Sequence, residues 1–181
     1  MSSYKVVAIS GSLRKASLTS QLLRAIQKIA PDELEISIQY LNGIPVFNED
    51  DTVDGLPDSV TAFQEAVKNA DALILATPEY NGAMTGALKN AIDWLSIGGI
   101  MGKKIAAPIS GSPGALGATK AQESLRAVMT HLGMNVLSRP AIAIPMLNQK
   151  LENDSINDED TLKFVTEWIE AFRNWIVQLK K

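Results

Sequence analysis

Three segments of this chain concentrate the hydroxyl, glycine and aromatic residues from which a site for a flat, phosphorylated molecule can be built. The first, Ser10-Gly11-Ser12-Leu13-Arg14-Lys15-Ala16-Ser17-Leu18-Thr19-Ser20, passes from an apolar run into an amphipathic one. A helix starting there presents unpaired N–H groups and the positive end of its dipole, both of which stabilise an anion. Hydroxyls at Ser12, Ser17 and Thr19 add hydrogen bonds, and Arg14 adds a charge-assisted one. The plainer alternative is a hydroxyl-rich helix cap beside two solvated cations. In the second segment, Thr77-Pro78-Glu79-Tyr80-Asn81-Gly82-Ala83-Met84-Thr85-Gly86, Pro78 adds stiffness and Tyr80 an aromatic surface. Gly82 and Gly86 allow close approach of backbone to a flat ligand. The third, Ser110-Gly111-Ser112-Pro113-Gly114-Ala115-Leu116-Gly117, offers Ser112 as a donor and by itself reads equally well as a tight turn.

The elements between these segments must bring them together. Residues 4–9 form a nearly continuous apolar run, read as a buried parallel strand. Residues 17–30 place Leu18, Leu22, Ala25, Ile26 and Ile29 on one helical face, with Ser17 as N-cap and Pro31 just past the end. An alternating strand over 34–41 leads into a loop over 42–56 rich in Gly, Pro, Asn and Asp, then a helix over 57–70 and an apolar strand over 72–77. A helix over Gly86–Ser96 follows, and residues 104–110, 116–132, 134–137 and 158–179 supply strand, helix, strand and helix. Such alternation implies an α/β three-layer sandwich, a parallel sheet covered on both faces and joined by right-handed crossovers. Five strands suggest the order 2-1-3-4-5, with ligands bound outside the carboxyl ends where the winding reverses. All three segments then leave the same sheet edge.

Composition narrows the chemistry. The length, 181 residues, fits one domain spanning residues 1–181. With no cysteine, disulfides, thiolate catalysis, zinc–thiolate sites and iron–sulfur clusters are excluded, so redox chemistry must come from a bound cofactor. A formal charge of −3 gives no basic footprint for nucleic acid. No stretch approaches the roughly 20 apolar residues of a membrane span, and the amino end lacks the pattern of a signal peptide. Neither nucleic acid nor membrane is expected as a partner, and the expected location is cytoplasmic.

Other chemistries are weighed on the same residues. Leu13 stands where a dinucleotide fingerprint needs its second glycine, and Gly102-Lys103 lacks the earlier glycine of a phosphate loop and precedes a strand. Ser110-Gly111-Ser112-Pro113-Gly114 is one residue short of a hydrolase nucleophile elbow, which makes a serine hydrolase using Ser112 a remote alternative. Its only possible histidine, His131, falls near the end of a helix with no aspartate between it and Ser112. A phospho-receiver would need acids where Ser10 and Pro78 stand. The acidic runs 49–54 and 158–160 lack calcium-loop spacing and read as a solvated loop and a helix start. Leu162, Val165, Ile169, Phe172 and Ile176, with Trp168 and Trp175, make the last helix core-facing.

Gly11-Ser12-Leu13-Arg14 with Ser17, Phe47-Asn48-Glu49-Asp50, and Pro78-Glu79-Tyr80-Asn81 leading into Leu88-Lys89-Asn90-Ala91-Ile92-Asp93-Trp94 form a specific combination. It resembles the NADPH-dependent FMN reductase family, flavodoxin-like flavoproteins that include quinone and chromate reductases. The resemblance runs from the first strand through the fourth helix. It implies FMN phosphate at Ser12, Arg14, Ser17 and the backbone around Leu18 and Thr19, the ring against Pro78, Glu79, Tyr80, Asn81 and Gly82, and Ser112 near its far edge. It also implies NADPH or NADH as electron donor and a small-molecule acceptor: flavin, quinone, azo compound or metal oxyanion. No side chain is named as acid, base or nucleophile. Two departures stand out: Thr19 replaces a common asparagine, and Gly82-Ala83-Met84-Thr85 replaces a segment often carrying Arg, Ser and Pro. The competing reading, a flavodoxin-type electron carrier, calls for an uncharged first loop and a strongly acidic surface, against Arg14, Lys15 and −3 here.

The helix over Gly86–Ser96 carries two apolar stripes. Leu88, Ile92 and Leu95 suit the sheet, while Ala87, Ala91 and Trp94, extending to Ile97, form a second stripe that one sheet does not require. That second stripe is expected at the contact of a homodimer or homotetramer, anchored by Trp94, where a partner would also wall the pocket. The alternative buries Trp94 within its own chain, under Ile100 and Met101.

Overall fold

Residues 3–181 are described by a computed structural model. One sheet contains β1 (Tyr4–Ser10), β2 (Leu34–Tyr40), β3 (Ala72–Thr77), β4 (Ile105–Gly111), β5 (Asn135–Val136) and β6 (Ile142–Ile144). The order is β2-β1-β3-β4-β5, all pairs parallel, with β6 also pairing β4. This is the expected flavodoxin-like arrangement, and it places the winding reversal between β1 and β3.

Strand side chains alternate between two cores because successive Cβ atoms point to opposite faces. Val6, Ala8, Ile74 and Ile109 join one core with α1 (Leu18–Ile29) and α6 (Glu159–Leu179), where Trp168 and Phe172 stack at 5.9 Å. Val7, Ile9, Leu73 and Leu75 join the other with α2 (Asp58–Lys68), α3 (Gly86–Ser96) and α4 (Thr119–His131). Local chemistry sets the helix starts. Ser17 accepts the Ser20 N–H at 3.1 Å, Thr85 accepts that of Leu88 at 3.2 Å, and Asp158 accepts that of Thr161 at 2.9 Å.

The fifth strand departs from the expected continuous run over 134–137. It comes in two pieces, β5 on Ile105–Ala106 and β6 on Ile109–Gly111, with residues 137–141 looping out between them. Leu137 N–H donates to the Ala106 carbonyl at 2.8 Å. The next ladder bond would run from the N–H of residue 108 to the Leu137 carbonyl, but residue 108 is proline and has none. Arg126 supplies the missing donor from α4, at 3.0 Å.

The segment after β6 also holds structure that the sequence pattern does not announce: α5 (Leu147–Lys150), then β7 (Leu151–Glu152) and β8 (Ser155–Ile156) as a small antiparallel hairpin. Its turn uses Asn153 and Asp154, both at positive φ, and Asp154 pairs with Arg24 of α1 at 2.8 Å. That ion pair pins the hairpin against α1.

Trp94 corrects the expected subunit contact. Its side chain is fully buried within its own chain, as is Ala91. The cover is the 42–47 loop, which folds back over α3. The Trp94 indole N–H donates to the Pro45 carbonyl at 2.9 Å, and Phe47 meets the ring edge-on at 4.9 Å. Asn90 locks the loop from both sides, donating to Pro45 at 2.8 Å and accepting the Phe47 N–H at 2.7 Å.

Candidate functional site

The first loop is shaped by the end of β1. Gly11 donates to the Ala76 carbonyl at 2.8 Å, and a Cβ at Gly11 would sit 2.8 Å from that oxygen and 3.2 Å from Leu88 Cβ. Only glycine lets the chain leave the sheet this closely. Ser12 then turns inward, 6% exposed, while Leu13, Arg14 and Lys15 face solvent. Ser17 spends its lone pair on Ser20 and keeps its own hydroxyl proton free to donate. The N–H groups of Leu18 and Thr19, in the first turn of α1, have no carbonyl one turn earlier within the helix to accept them. Ser10 and Ser20 share a buried hydrogen bond at 2.8 Å that holds the helix start against the strand end.

The second loop is a tight hairpin. Tyr80 and Ala83 exchange both backbone hydrogen bonds at 3.2 Å, with Asn81 at φ 53° and Gly82 at φ 73°. This is the two-residue turn for which Asn-Gly is the preferred pair. Gly82 thus serves the turn, and Gly86 opens α3 instead of facing the cleft. Tyr80 projects from the hairpin, 52% exposed. Glu79 turns sideways to accept the Ala121 N–H at 3.1 Å. Because α4 has no side-chain cap of its own, that carboxylate serves as one, favoured by the helix dipole.

The third loop is tied to the strand beside it. Ser112 donates from its backbone to Ile144 at 3.1 Å and accepts from Leu147 at 2.9 Å, while Met146 donates to Gly114 at 3.2 Å. Gly117, at φ 62°, passes so close to β6 that a Cβ would lie 2.7 Å from the Ala143 carbonyl carbon. Ser110 closes the loop by donating to the Gly117 carbonyl at 3.0 Å.

These three loops meet in one cleft of about 90 Å³, lined by Ser12, Arg14, Ser17, Leu18, Thr19, Pro78, Glu79, Tyr80 and Ser112. Gly111 and Pro113 also line it, and the glycine-rich third loop was the available signal for them. Asn81 and Gly82 do not, since they form the outer end of the hairpin. A larger groove, about 470 Å³, lies on the other side of the first loop, between Leu13, Leu41, Ile44, Val46, Phe47 and Ala87. It is mostly apolar, its rim includes Gly86 and Ala87 at the start of α3, and its charged residues Lys89 and Asp93 pair with each other, so the smaller cleft, with Arg14 and its hydroxyls, is the one equipped for an anionic ligand. Asn90, which shapes that groove, carried a signal in being a polar residue in mid-helix.

The hydrolase alternative fails on topology. His131 closes α4, and a 13-residue helix puts its ends about 18 Å apart, whereas Ser112 lies at the end where α4 begins. His131 is exposed. Among the described residues no cluster of His, Cys, Asp or Glu could hold a metal ion, and no helix is long and apolar enough to cross a membrane.

The family described as NADPH-dependent FMN reductase matches residues 4–149. A 2-hydroxy-1,4-benzoquinone reductase from a Burkholderia species is 33% identical over 176 residues, covering 95% of this chain and 96% of that protein. An NAD(P)H-dependent FMN reductase of Pseudomonas aeruginosa is 35% identical over 185 residues, 97% of each chain. Among solved structures, the flavoenzyme NAD(P)H:(acceptor) oxidoreductase FerB of Paracoccus denitrificans superposes with a TM-score of 0.90 at 35% identity, covering 97% of this chain and 98% of its own. The chain belongs to the NADPH-dependent FMN reductase family.

Proposed function

We propose that this protein holds FMN in the cleft at the carboxyl ends of β1, β3 and β4, oxidises NADH or NADPH there, and passes the electrons to a small acceptor of the quinone class. The observation that carries the reading is the union, in one cleft, of a phosphate-type cradle with an aromatic hairpin. The residues fit the group. At one end stand the Leu18 and Thr19 N–H groups, the Ser12, Ser17 and Thr19 hydroxyls and the Arg14 guanidinium, all donors. The one acid lining the cleft, Glu79, is engaged with the Ala121 N–H.

When bound, FMN supplies the two-electron chemistry. The protein's part is to hold and align. Arg14 and the α1 terminus would hold the phosphate, Pro78, Glu79 and Tyr80 would support the ring, and Ser112 would donate at its far edge. Near-attack placement of two reactants can lower a barrier by about 7 to 11 kcal/mol, which makes rigid loops more valuable here than an acid or a base. A quinone acceptor is favoured by the names of the relatives and suits a planar molecule replacing the nicotinamide.

The test is an absorption spectrum of purified protein with and without FMN, followed by NADH and NADPH oxidation in the presence of benzoquinone. Flavin binding with acceptor-dependent turnover supports the reading. Flavin binding without turnover would mark an electron carrier, and no flavin binding would remove the assignment.

We also propose that two copies associate, as a homodimer or a dimer of dimers, over the apolar groove beside the cleft. With Trp94 withdrawn into the chain, the exposed anchors are Val46, 82% exposed, and Leu13, 50% exposed. Val46→Glu should shift wild-type dimer to monomer in sedimentation velocity; a monomeric wild type at micromolar concentration overturns the proposal.

A further inference from the structure

The two ends of the cleft are fastened together by one hydroxyl. Thr85 is 4% exposed, and its Oγ1 donates to the Gly11 carbonyl at 2.5 Å across 74 residues of sequence. The same oxygen accepts the Leu88 N–H at 3.2 Å. The Thr85 N–H donates to Thr77 Oγ1 at 3.4 Å, and that hydroxyl donates to the Pro78 carbonyl at 2.7 Å. A continuous path therefore joins the residue before Ser12, at the phosphate end, to Pro78, at the ring end. The other side-chain ties of the second loop, Met84 N–H to Ser124 Oγ at 2.8 Å and Ala121 N–H to the Glu79 carboxylate at 3.1 Å, run to α4 and leave the first loop untouched.

We propose that Thr85 is a positioning residue that fixes the spacing between the two ends of the cleft, so that the preference for FMN over unphosphorylated riboflavin depends on it. The inference rests on the cleft being the FMN site. A ligand with two anchoring groups gains from the second only if the protein holds both receptors at the matching distance, because that sets the effective concentration of the second contact. Removing the Thr85 hydroxyl leaves the buried Gly11 carbonyl without this donor, and an unpaired buried carbonyl drives the backbone to seek another partner. Gly11 is hemmed in by Ala76 and Leu88, so the movement must fall on the Gly11–Ser12 peptide, which carries the phosphate-facing Ser12. The ring end keeps its hairpin bonds.

The experiment titrates apo-protein with FMN and with riboflavin, by flavin fluorescence quenching, for wild type, Thr85→Val, Thr85→Ser and Ser124→Ala, with melting temperatures recorded for each. Thr85→Val should lower the FMN-to-riboflavin affinity ratio roughly tenfold, the size expected for losing one well-placed bond, with riboflavin affinity changed by less than about threefold. Thr85→Ser, which restores the hydroxyl, should keep the ratio within about twofold of wild type. Ser124→Ala should lower the melting temperature and leave the ratio alone. If Thr85→Val does not fold, Thr85→Ala carries the same expectation, since it removes the hydroxyl and keeps the N–H that donates to Thr77 Oγ1. An unchanged ratio in a folded hydroxyl-free variant, an equal fall in Ser124→Ala, or failure of serine to retain the ratio overturns the proposal. Wild type that binds neither flavin removes the cleft assignment and this inference with it, whereas wild type and variants with the same FMN preference refute Thr85 alone.

Discussion

Trp94→Ala separates a core residue from an interface anchor. The substitution deletes a fully buried ring, its edge contact with Phe47 at 4.9 Å and its N–H bond to Pro45 at 2.9 Å. Buried Trp→Ala changes cost about 3 to 5 kcal/mol. The Pro45 carbonyl keeps its bond from Asn90 at 2.8 Å, so no buried oxygen is orphaned and the middle of that range, about 4 kcal/mol, applies. For a chain of this length each kcal/mol shifts the midpoint by roughly 2 to 4 °C, which gives a fall of about 8 to 16 °C. Trp94→Phe, which keeps most of the ring but not the donor, should lose a few degrees. Thermal melts by circular dichroism at two protein concentrations about fiftyfold apart distinguish a packing loss, present at both, from a lost association, whose midpoint depends on concentration. A Trp94→Ala melt within about 2 °C of wild type, with the variant sedimenting as a smaller species, would refute the internal role.

Arg14→Ala combined with Ser17→Ala removes one charged and one neutral donor, so FMN affinity should fall at least roughly tenfold and depend less on salt. Unchanged affinity in a flavin titration would put the phosphate elsewhere; a melt run alongside corrects for the lost α1 cap, worth about 1 kcal/mol. Glu79→Ala should lower stability by about 0.5 to 2 kcal/mol through the uncapped start of α4, with Glu79→Gln recovering part of it, and an unaltered urea midpoint contradicts the capping role. The Arg24 guanidinium holds the Asp154 carboxyl below the usual carboxylate range, and for Asp71 burial pushes upward but the Lys180 ion pair and the Lys5 N–H outweigh it. Carboxylates depressed on folding contribute stability that is full above about pH 4 and lost as pH falls through their folded values. Asp154→Asn should therefore flatten the decline of urea midpoints as pH falls below about 4, and a variant as acid-sensitive as wild type would show that this pair does not contribute.

What the sequence made legible follows from how local each signal is. Ser17 and Pro31 bracket α1 because capping and proline geometry act within a few residues. The cleft was readable because three loops leaving adjacent strand ends must converge, whatever their internal conformations. Gly82 carries two readings at once: Asn-Gly is first a hairpin signal, and the turn uses the glycine before any ligand can. Trp94 shows the limit of a helical projection, which identifies a face but not the loop that returns to cover it. The split fifth strand was hidden for a similar reason, although Pro108 in the middle of a central strand was a readable warning that one ladder bond could not form. The hairpin at residues 151–156 lacks glycine in its turn and depends on an ion pair to a distant helix, so nothing nearby in sequence announces it.

The interrupted margin of the sheet constrains how copies of this chain can meet. A free strand edge presents a regular row of backbone donors and acceptors, a template onto which another chain can add a strand. Here the row is broken where residues 137–141 swing away, and the Leu137 carbonyl at the break is already occupied by Arg126. Neither β5 nor β6 exceeds three residues, too short a run for an incoming strand to read. Sheet extension across this border is closed off, which guards the protein against runaway polymerisation and leaves side-chain contact between helices and loops as the route by which copies can join on that flank.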